Sequence, residues 1–312
     1  MGGEPRPVMR NNDQQGNQRM KHIAVLMGGI SAEREISLSS GRAIADALAS
    51  KGYRVTPVDV QREDFPIPTA LDAAFIALHG TYGEDGGVQQ YLAANGIRFT
   101  GSDAASSRAA FDKIASKRCF EQYGVNTARY EVLRRGQPRT LPLPVVVKPP
   151  RQGSSIGLAK VMEEGAWATA MENALVHDEE VLVEAFIPGR ELTVGIVGDE
   201  VLPIVEIRAP DGYYDYRAKY TKGATEYLCP APIDETSTRL VQAIAWKTFE
   251  ALKASGLGRV DVRLTDDGEP FVLELNSIPG FTETSLLPKA AKAVGISFAD
   301  LCDKIIRQAL AP

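Results

Sequence analysis

Apolar positions in this chain fall into short runs that alternate with stretches of helical spacing, and the alternation begins only after residue 20. Residues 1–20 are polar, rich in Asn, Gln, Gly and Arg, with too little to bury to offset the entropy of ordering them; a flexible tail is expected. Residues 23–27 then form an apolar run that Gly28 and Gly29 break, and Ile44, Ala47 and Leu48 recur at helical spacing until Gly52. Residues 53–60 read as a strand. The unit repeats with a strand at 73–78, a helix around 88–94 and a short strand at 98–100, which predicts a doubly wound parallel-sheet α/β domain over residues 21–101.

The texture changes after that. A helix is expected over 106–123, a linker punctuated by Pro138, Pro142 and Pro144 follows, and residues 145–148 form a β-branched strand. Further strands at 158–161 and 181–185 surround a helix at 167–175, giving a small α+β domain over 102–187. Beyond Pro188 and Gly189, strands at 192–197 and 201–207 lead into residues 211–232, polar and aromatic with neither period. A loop of that length inside a compact domain is usually functional or disordered. A helix over 236–254, with Asp234 as its cap, belongs to the last domain, 188–312.

Composition narrows the function classes. The 44% hydrophobic and 24% charged content is that of a globular protein, and 35 Lys and Arg against 40 Asp and Glu give a net charge of −5, no field for nucleic acid or an anionic membrane. Cys119, Cys229 and Cys302 fit neither a secreted disulfide framework nor a CxxC metal spacing, so a reducing compartment is the simpler reading. The amino terminus has no apolar core of the kind a signal sequence carries, and no run approaches the roughly 20 apolar residues of a membrane span. A cytoplasmic protein is expected.

Residues 258–280, GRVDVRLTDDGEPFVLELNSIPG, are the most informative. Asp267-Gly268 between two alternating runs predicts a two-residue hairpin turn, which sets Asp261 opposite Glu274 and Arg259 opposite Asn276. Val260, Val262, Leu264, Phe271, Leu273 and Leu275 then share the other face. The polar face is either a solvated sheet surface or a cation site, since two facing acids repel unless a cation lies between them, and Asp, Glu and Asn offer hard oxygens suited to magnesium. Lys148 ends its strand before Arg151-Gln152-Gly153-Ser154-Ser155-Ile156-Gly157, which is either a flexible turn beside a surface lysine or a loop whose amides wrap an anion. Gly153, Ser155 and Gly157 also match the G-x-S-x-G elbow of hydrolases, but a strand instead of a helix follows, and the only later histidine, His177, sits in the acidic run HDEE. His79-Gly80 with Gly83 to Gly87, and Gly28-Gly29 with Ser31, Glu33 and Glu35, lie at strand ends, where open α/β sheets bind ligands and where plain turns also occur. Neither a dinucleotide fingerprint nor a P-loop is present.

Together these residues carry a resemblance. GGISAEREISLSSG at 28–41, HGTYGEDGGVQ at 79–89, DK at 112–113, VVVKPPRQGSSIG at 145–157, YDYRAKY at 214–220, GRVDV at 258–262 and ELNSIPGFTETS at 274–285 occur in the order found in the D-alanine:D-alanine ligases of the ATP-grasp superfamily, which the chain resembles from Lys21 onward. The resemblance implies a three-domain ATP-grasp fold, ATP as co-substrate, and an acylphosphate of one D-alanine that the amine of a second displaces. It implies two Mg²⁺ ions, replaceable by Mn²⁺, on Asp261, Glu274 and Asn276, and phosphate contacts from Lys113, Lys148 and Lys219. Adenine is expected against Glu184, Ala185, Phe186 and Ile187, the ribose on Glu191, with Tyr214 also at the nucleotide. Glu33 corresponds to the residue that pairs the first D-alanine's ammonium, His79 lies near its carboxylate, and Ser285 contacts the second carboxylate. Arg259 and the amide of Gly280 correspond to the groups that stabilise the tetrahedral intermediate, while Ser154 and Tyr220 hydrogen-bond with Glu33 and fasten the 211–232 loop as a lid, mobile until nucleotide binds.

The chain departs from the family pattern at Ile30 and Ser277, where threonine is expected, at Arg263, which replaces an apolar residue, at Ala185-Phe186, which replaces a Lys-aromatic pair, and in a short 134–144 connection. A depsipeptide or D-serine ligase differs chiefly at the loop position that here is Tyr220, where tyrosine favours an amine nucleophile. A nucleotide-binding regulator without turnover would be expected to have lost some of Lys113, Lys148, Asp261, Glu274 and Asn276; all are present. A homodimer formed through the N-terminal domain is also implied.

Overall fold

The computed structural model describes residues 19–209 and 225–311, so the expectations for residues 1–18, Tyr214, Lys219 and Tyr220 lie outside the described residues. The chain opens with β1 (His22–Gly28), α1 (Arg34–Ser50), β2 (Arg54–Val60), β3 (Ala73–Ile76) and α2 (Gly87–Ala94). The strands form a parallel sheet of order β2-β1-β3, and the segment expected as a fourth strand contributes a bridge from Phe99 to Ala74. Alternation along β1 does what a two-sided buried strand requires. Ile23, Val25 and Met27 face Ile44 and Leu48 of α1, while Ala24 and Leu26 face Val88 and Leu92 of α2.

The single helix expected over 106–123 is two, α3 (Ala104–Phe111) and α4 (Lys113–Tyr123). Asp112 between them is extended, and its carboxylate accepts from the N–H groups of Ile114 and Ala115 at 2.9 and 3.1 Å, so the chain restarts a helix at a capping residue. The restart frees the Lys113 N–H to reach the Pro150 carbonyl at 3.1 Å. An antiparallel sheet follows, built from β4 (Tyr130–Leu133), β5 (Val145–Lys148), β6 (Ala159–Val161) and β7 (Val181–Ala185) in the order β4-β7-β5-β6, with α5 (Trp167–Leu175) packed on one face.

The last sheet contains β8 (Arg190–Val197), β9 (Glu200–Val201), β10 (Val205–Arg208), β11 (Glu226–Leu228), β12 (Leu257–Leu264) and β13 (Pro270–Asn276), in the order β11-β10-β8-β12-β13 with β9 on β8. The strand expected over 201–207 is broken at Leu202-Pro203-Ile204, where proline has no N–H for the ladder, and residues 226–228, expected as loop, pair with β10. Helix α6 (Glu235–Ala251) carries the predicted cap: Asp234 accepts from the Ser237 N–H at 2.9 Å. Helices α7 (Leu286–Ala293) and α8 (Phe298–Leu310) complete the chain, and Leu301, Ile305 and Ile306 of α8 pack into the first face of the N-terminal sheet.

The β12–β13 hairpin differs from expectation twice, and the two differences cancel where it matters. Thr265 donates its N–H to the Glu269 carbonyl at 3.0 Å, leaving Asp266, Asp267 and Gly268 at the tip, with Gly268 at φ +84°. Three residues instead of two shift the register by one, so Val262 faces Val272. A β-bulge between Asp261 and Val262, opposite Leu273, restores it, and Asp261 still faces Glu274 and Arg259 still faces Asn276. Strict alternation therefore fails locally: Val272 is in the core, while Leu273 turns to the cleft beside Glu274 and Phe271 is only partly buried. Among the described residues no helix is long and apolar enough to cross a membrane.

Candidate active site

A cavity of about 690 Å³ lies where the three sheets meet. The N-terminal sheet contributes Glu33, just ahead of α1, and His79, just after β3, both at the carboxyl ends of parallel strands. His79 is buried, with Nδ1 3.2 Å from the Ile278 carbonyl and Nε2 3.4 Å from the Ser40 hydroxyl, so the ring is held from both sides. The Ser154 hydroxyl donates to Glu33, and Ser154 and Ser155 occupy left-handed φ values of 48° and 59°. Non-glycine residues in that region cost free energy and concentrate at ligand-binding loops. Two glycines make room for the Glu33 carboxylate: a Cβ at Gly80 would lie 2.8 Å from it and one at Gly153 3.0 Å.

Cations line the second wall. Lys113, the first residue of α4, donates to the Gln152 carbonyl at 2.8 Å and lies 3.4 Å from Glu274 across the cleft. Lys148 ends β5 and pairs with one oxygen of Glu184, whose other oxygen pairs with Lys117. Burial pushes the Glu184 carboxyl up, but Lys117 and Lys148 outweigh it and hold the group at about 2. Burial also pulls the Lys117 ammonium below the ordinary lysine range, against the opposing charge of Glu184. Glu184 is thus an ionic centre as well as a cleft residue, and Lys117 is a participant that motif reading missed. Its signal was present, because a lysine three residues from both Ile114 and Phe120 sits on the buried stripe of α4.

The third wall is the β12–β13 face. Asp261 takes two hydrogen bonds from Arg259 at 2.9 and 2.8 Å, one from the Thr193 hydroxyl at 2.6 Å and one from the Asn276 amide at 3.0 Å. Among the described residues no group of three or more His, Cys, Asp or Glu could hold a metal ion. A cation here would draw on Asp261, Glu274, the Asn276 amide oxygen and the oxygens of a bound phosphate, a hard-oxygen set that fits magnesium. Nearby, Ser285 stands at the N-cap of α7, but its hydroxyl accepts from the Thr282 N–H at 3.0 Å instead of capping the helix, and a Cβ on Gly280 would lie 3.5 Å from that hydroxyl.

At the far end Glu184, Ala185, Phe186, Ile187 and Glu191 line the cleft as a group. Arg263, only 4% exposed, bridges Glu191 at 3.0 Å and the Gly189 carbonyl at 2.9 Å, with its guanidinium 5.9 Å from the Phe186 ring centre. Lys160 lies 3.8 Å over the same ring. The cleft therefore brings together Glu33, His79, Lys113, Lys148, Ser154, Arg259, Asp261, Glu274, Asn276, Gly280 and Ser285 with Glu184, Ala185, Phe186, Ile187 and Glu191.

An open parallel sheet beside two antiparallel sheets that clasp a cleft, with lysines on one and an acid and amide set on the other, is the ATP-grasp fold. Family models described as D-ala D-ala ligase N-terminus and D-ala D-ala ligase C-terminus match residues 22–67 and 118–307. The D-alanine–D-alanine ligase of Methylacidiphilum infernorum is 50% identical over 286 residues, which span 92% of this chain and 94% of that one. That of Syntrophotalea carbinolica is 49% identical over 293 residues, 92% and 96% of the two chains. The crystal structure of the Bacillus anthracis D-alanine–D-alanine ligase complexed with ATP matches with a TM-score of 0.83 at 32% identity, covering 93% of this chain and 97% of that one. The VanG D-Ala:D-Ser ligase from Enterococcus faecalis matches at 0.81 and 30%, covering 93% and 100%. The chain belongs to the D-alanine–D-alanine ligase family.

Proposed function

We propose that this protein joins two D-alanine molecules to D-alanyl-D-alanine for peptidoglycan precursor synthesis, consuming ATP and releasing ADP and phosphate. The observation that carries the reading is one cleft in which Glu33 and His79, the lysine pair Lys113 and Lys148, and Arg259 with Gly280 open on the same space. A reaction between a carboxylate and a triphosphate must bring like charges together, and those cations lower that repulsion. Lys113 and Lys148 take the nucleotide phosphates, joined by Lys219, while Glu184 to Ile187, Glu191 and Tyr214 hold adenosine. Asp261, Glu274 and Asn276 would hold two magnesium ions, replaceable by manganese, whose charge would screen the phosphate oxygens.

Glu33 pairs the ammonium of the first D-alanine, and His79 lies by its carboxylate, which attacks the γ-phosphorus as ADP leaves. The free amine of the second D-alanine then attacks the carbonyl carbon, and phosphate departs with the oxygen it received. Negative charge on the tetrahedral intermediate falls to Arg259 and the Gly280 N–H. Ser285 holds the second carboxylate, and Ser154 with Tyr220 fastens the site around Glu33, excluding water that would hydrolyse the acylphosphate. A homodimer in the cytoplasm belongs to the same reading.

The test is phosphate release from ATP with D-alanine, L-alanine, D-serine and D-lactate offered separately. Release with D-alanine that EDTA abolishes is expected. Equal turnover with L-alanine would overturn the substrate assignment, and preference for D-serine or D-lactate as second substrate would move the protein to a sibling activity.

A further inference from the structure

Lys117 is 1% exposed, a rare place for an ammonium, and it does not line the cleft. Its Nζ contacts the Glu184 carboxylate and the Thr127 hydroxyl, and it lies 5.9 Å from the centre of the Tyr130 ring. Thr127 in turn donates to the Val272 carbonyl at 2.6 Å, so the lysine is tied through one hydroxyl to the strand that carries Glu274. The other oxygen of Glu184 belongs to Lys148, which does face the cleft. Two ammoniums and one carboxylate make a buried cluster of net charge +1. Lys113 beside it is matched by Glu274 and adds no net charge. Without Lys117, Lys148 and Glu184 would be a neutral ion pair, and a neutral pair attracts an anion weakly.

We propose that Lys117 is a positioning residue for phosphate binding: it engages Glu184 from behind and so leaves the charge of Lys148 uncompensated and available to the nucleotide phosphates. The inference rests on the reading of Lys148 as a phosphate-binding group. It explains why the buried position holds a cation, since a neutral donor could bond Glu184 and Thr127 but could not supply the charge.

The experiment measures dissociation constants for ADP and for adenosine, the latter by competition, on the full chain and on two variants. Lys117→Met sets the cluster to zero net charge, and Lys117→Met with Glu184→Gln returns it to +1. Lys117→Met should weaken ADP about tenfold, the scale of one unit charge acting over roughly 10 Å at an effective dielectric constant of about 20, while adenosine changes less than about twofold. The ratio of ADP to adenosine affinity should recover most of its value in the double variant. A merely structural role would lower both affinities together and leave that ratio unchanged in Lys117→Met, which overturns the inference alone. Failure of the unaltered protein to bind ADP overturns the reading of the cleft and the inference with it. Should Lys117→Met not fold, Glu184→Gln at +2 is compared with the double variant at +1. A higher ratio in Glu184→Gln supports the role of the charge, and equal ratios overturn it.

Discussion

Glu184→Gln removes the one carboxylate between two buried ammoniums while keeping the shape of the side chain, so it isolates the electrostatic role of this residue. The carboxyl is held at about 2 against an ordinary 4.5, which corresponds to about 3 kcal/mol of stability from its ionised form in the folded protein. That agrees with the roughly 3–5 kcal/mol lost when one partner of a buried ion pair is removed. The sign follows from the depressed value: the contribution is complete above pH 4.5 and declines as pH falls toward about 2. Urea unfolding of both proteins, followed by circular dichroism from pH 8 down to 3.5, should give a difference of about 3 kcal/mol that is flat above pH 5. Below pH 4.5 the difference should shrink by about 1.4 kcal/mol per pH unit as the native carboxylate of the unaltered protein loses its advantage. A difference under about 1 kcal/mol at pH 7, or one that widens with acid, would refute the assignment of Glu184 as the ionised centre of the cluster.

Ser154→Ala removes the hydroxyl that donates to Glu33 and should raise KM for D-alanine by roughly three- to tenfold, the net worth of one ordinary hydrogen bond acting through Glu33, with melting temperature nearly unchanged. Arg263→Met removes the guanidinium shared by Glu191 and the Gly189 carbonyl, and should raise KM for ATP about tenfold or more while changing KM for D-alanine little. Tyr220→Phe should lower dipeptide synthesis by roughly tenfold or less and raise the share of depsipeptide when D-lactate competes with D-alanine. An unchanged product ratio from pH 6 to 9 would show that this tyrosine does not set the choice of nucleophile.

Periodicity located the parallel sheet and most strands because burial there is a local property: β1 alternates between two cores, and its neighbours repeat the pattern. Pairing of Asp261 with Glu274 was also legible, although for an incomplete reason, since the longer tip and the bulge at Leu273 offset one another and neither leaves a mark in hydrophobic spacing. The break at Asp112 was hidden because the apolar stripe continues across it; only the capping chemistry of aspartate before Lys113 indicates the restart. Strand β11 is three residues long and is defined by pairing with β10, a contact that no window along the chain contains. Lys117 and Arg263 show the same limit at the site. Each reads as an ordinary or aberrant charge in one strand or helix, and each gains its meaning from a carboxylate contributed by another, Glu184 or Glu191.

On the acylphosphate route a D-alanine carboxylate attacks ATP, and the attacking oxygen leaves with phosphate. D-alanine labelled with oxygen-18 in both carboxylate oxygens, incubated with the protein, ATP and magnesium, tests this by mass spectrometry of the phosphate released. Each phosphate should carry one labelled oxygen, and the dipeptide bond carbonyl should retain the other. Unlabelled phosphate formed alongside dipeptide would contradict the acylphosphate route.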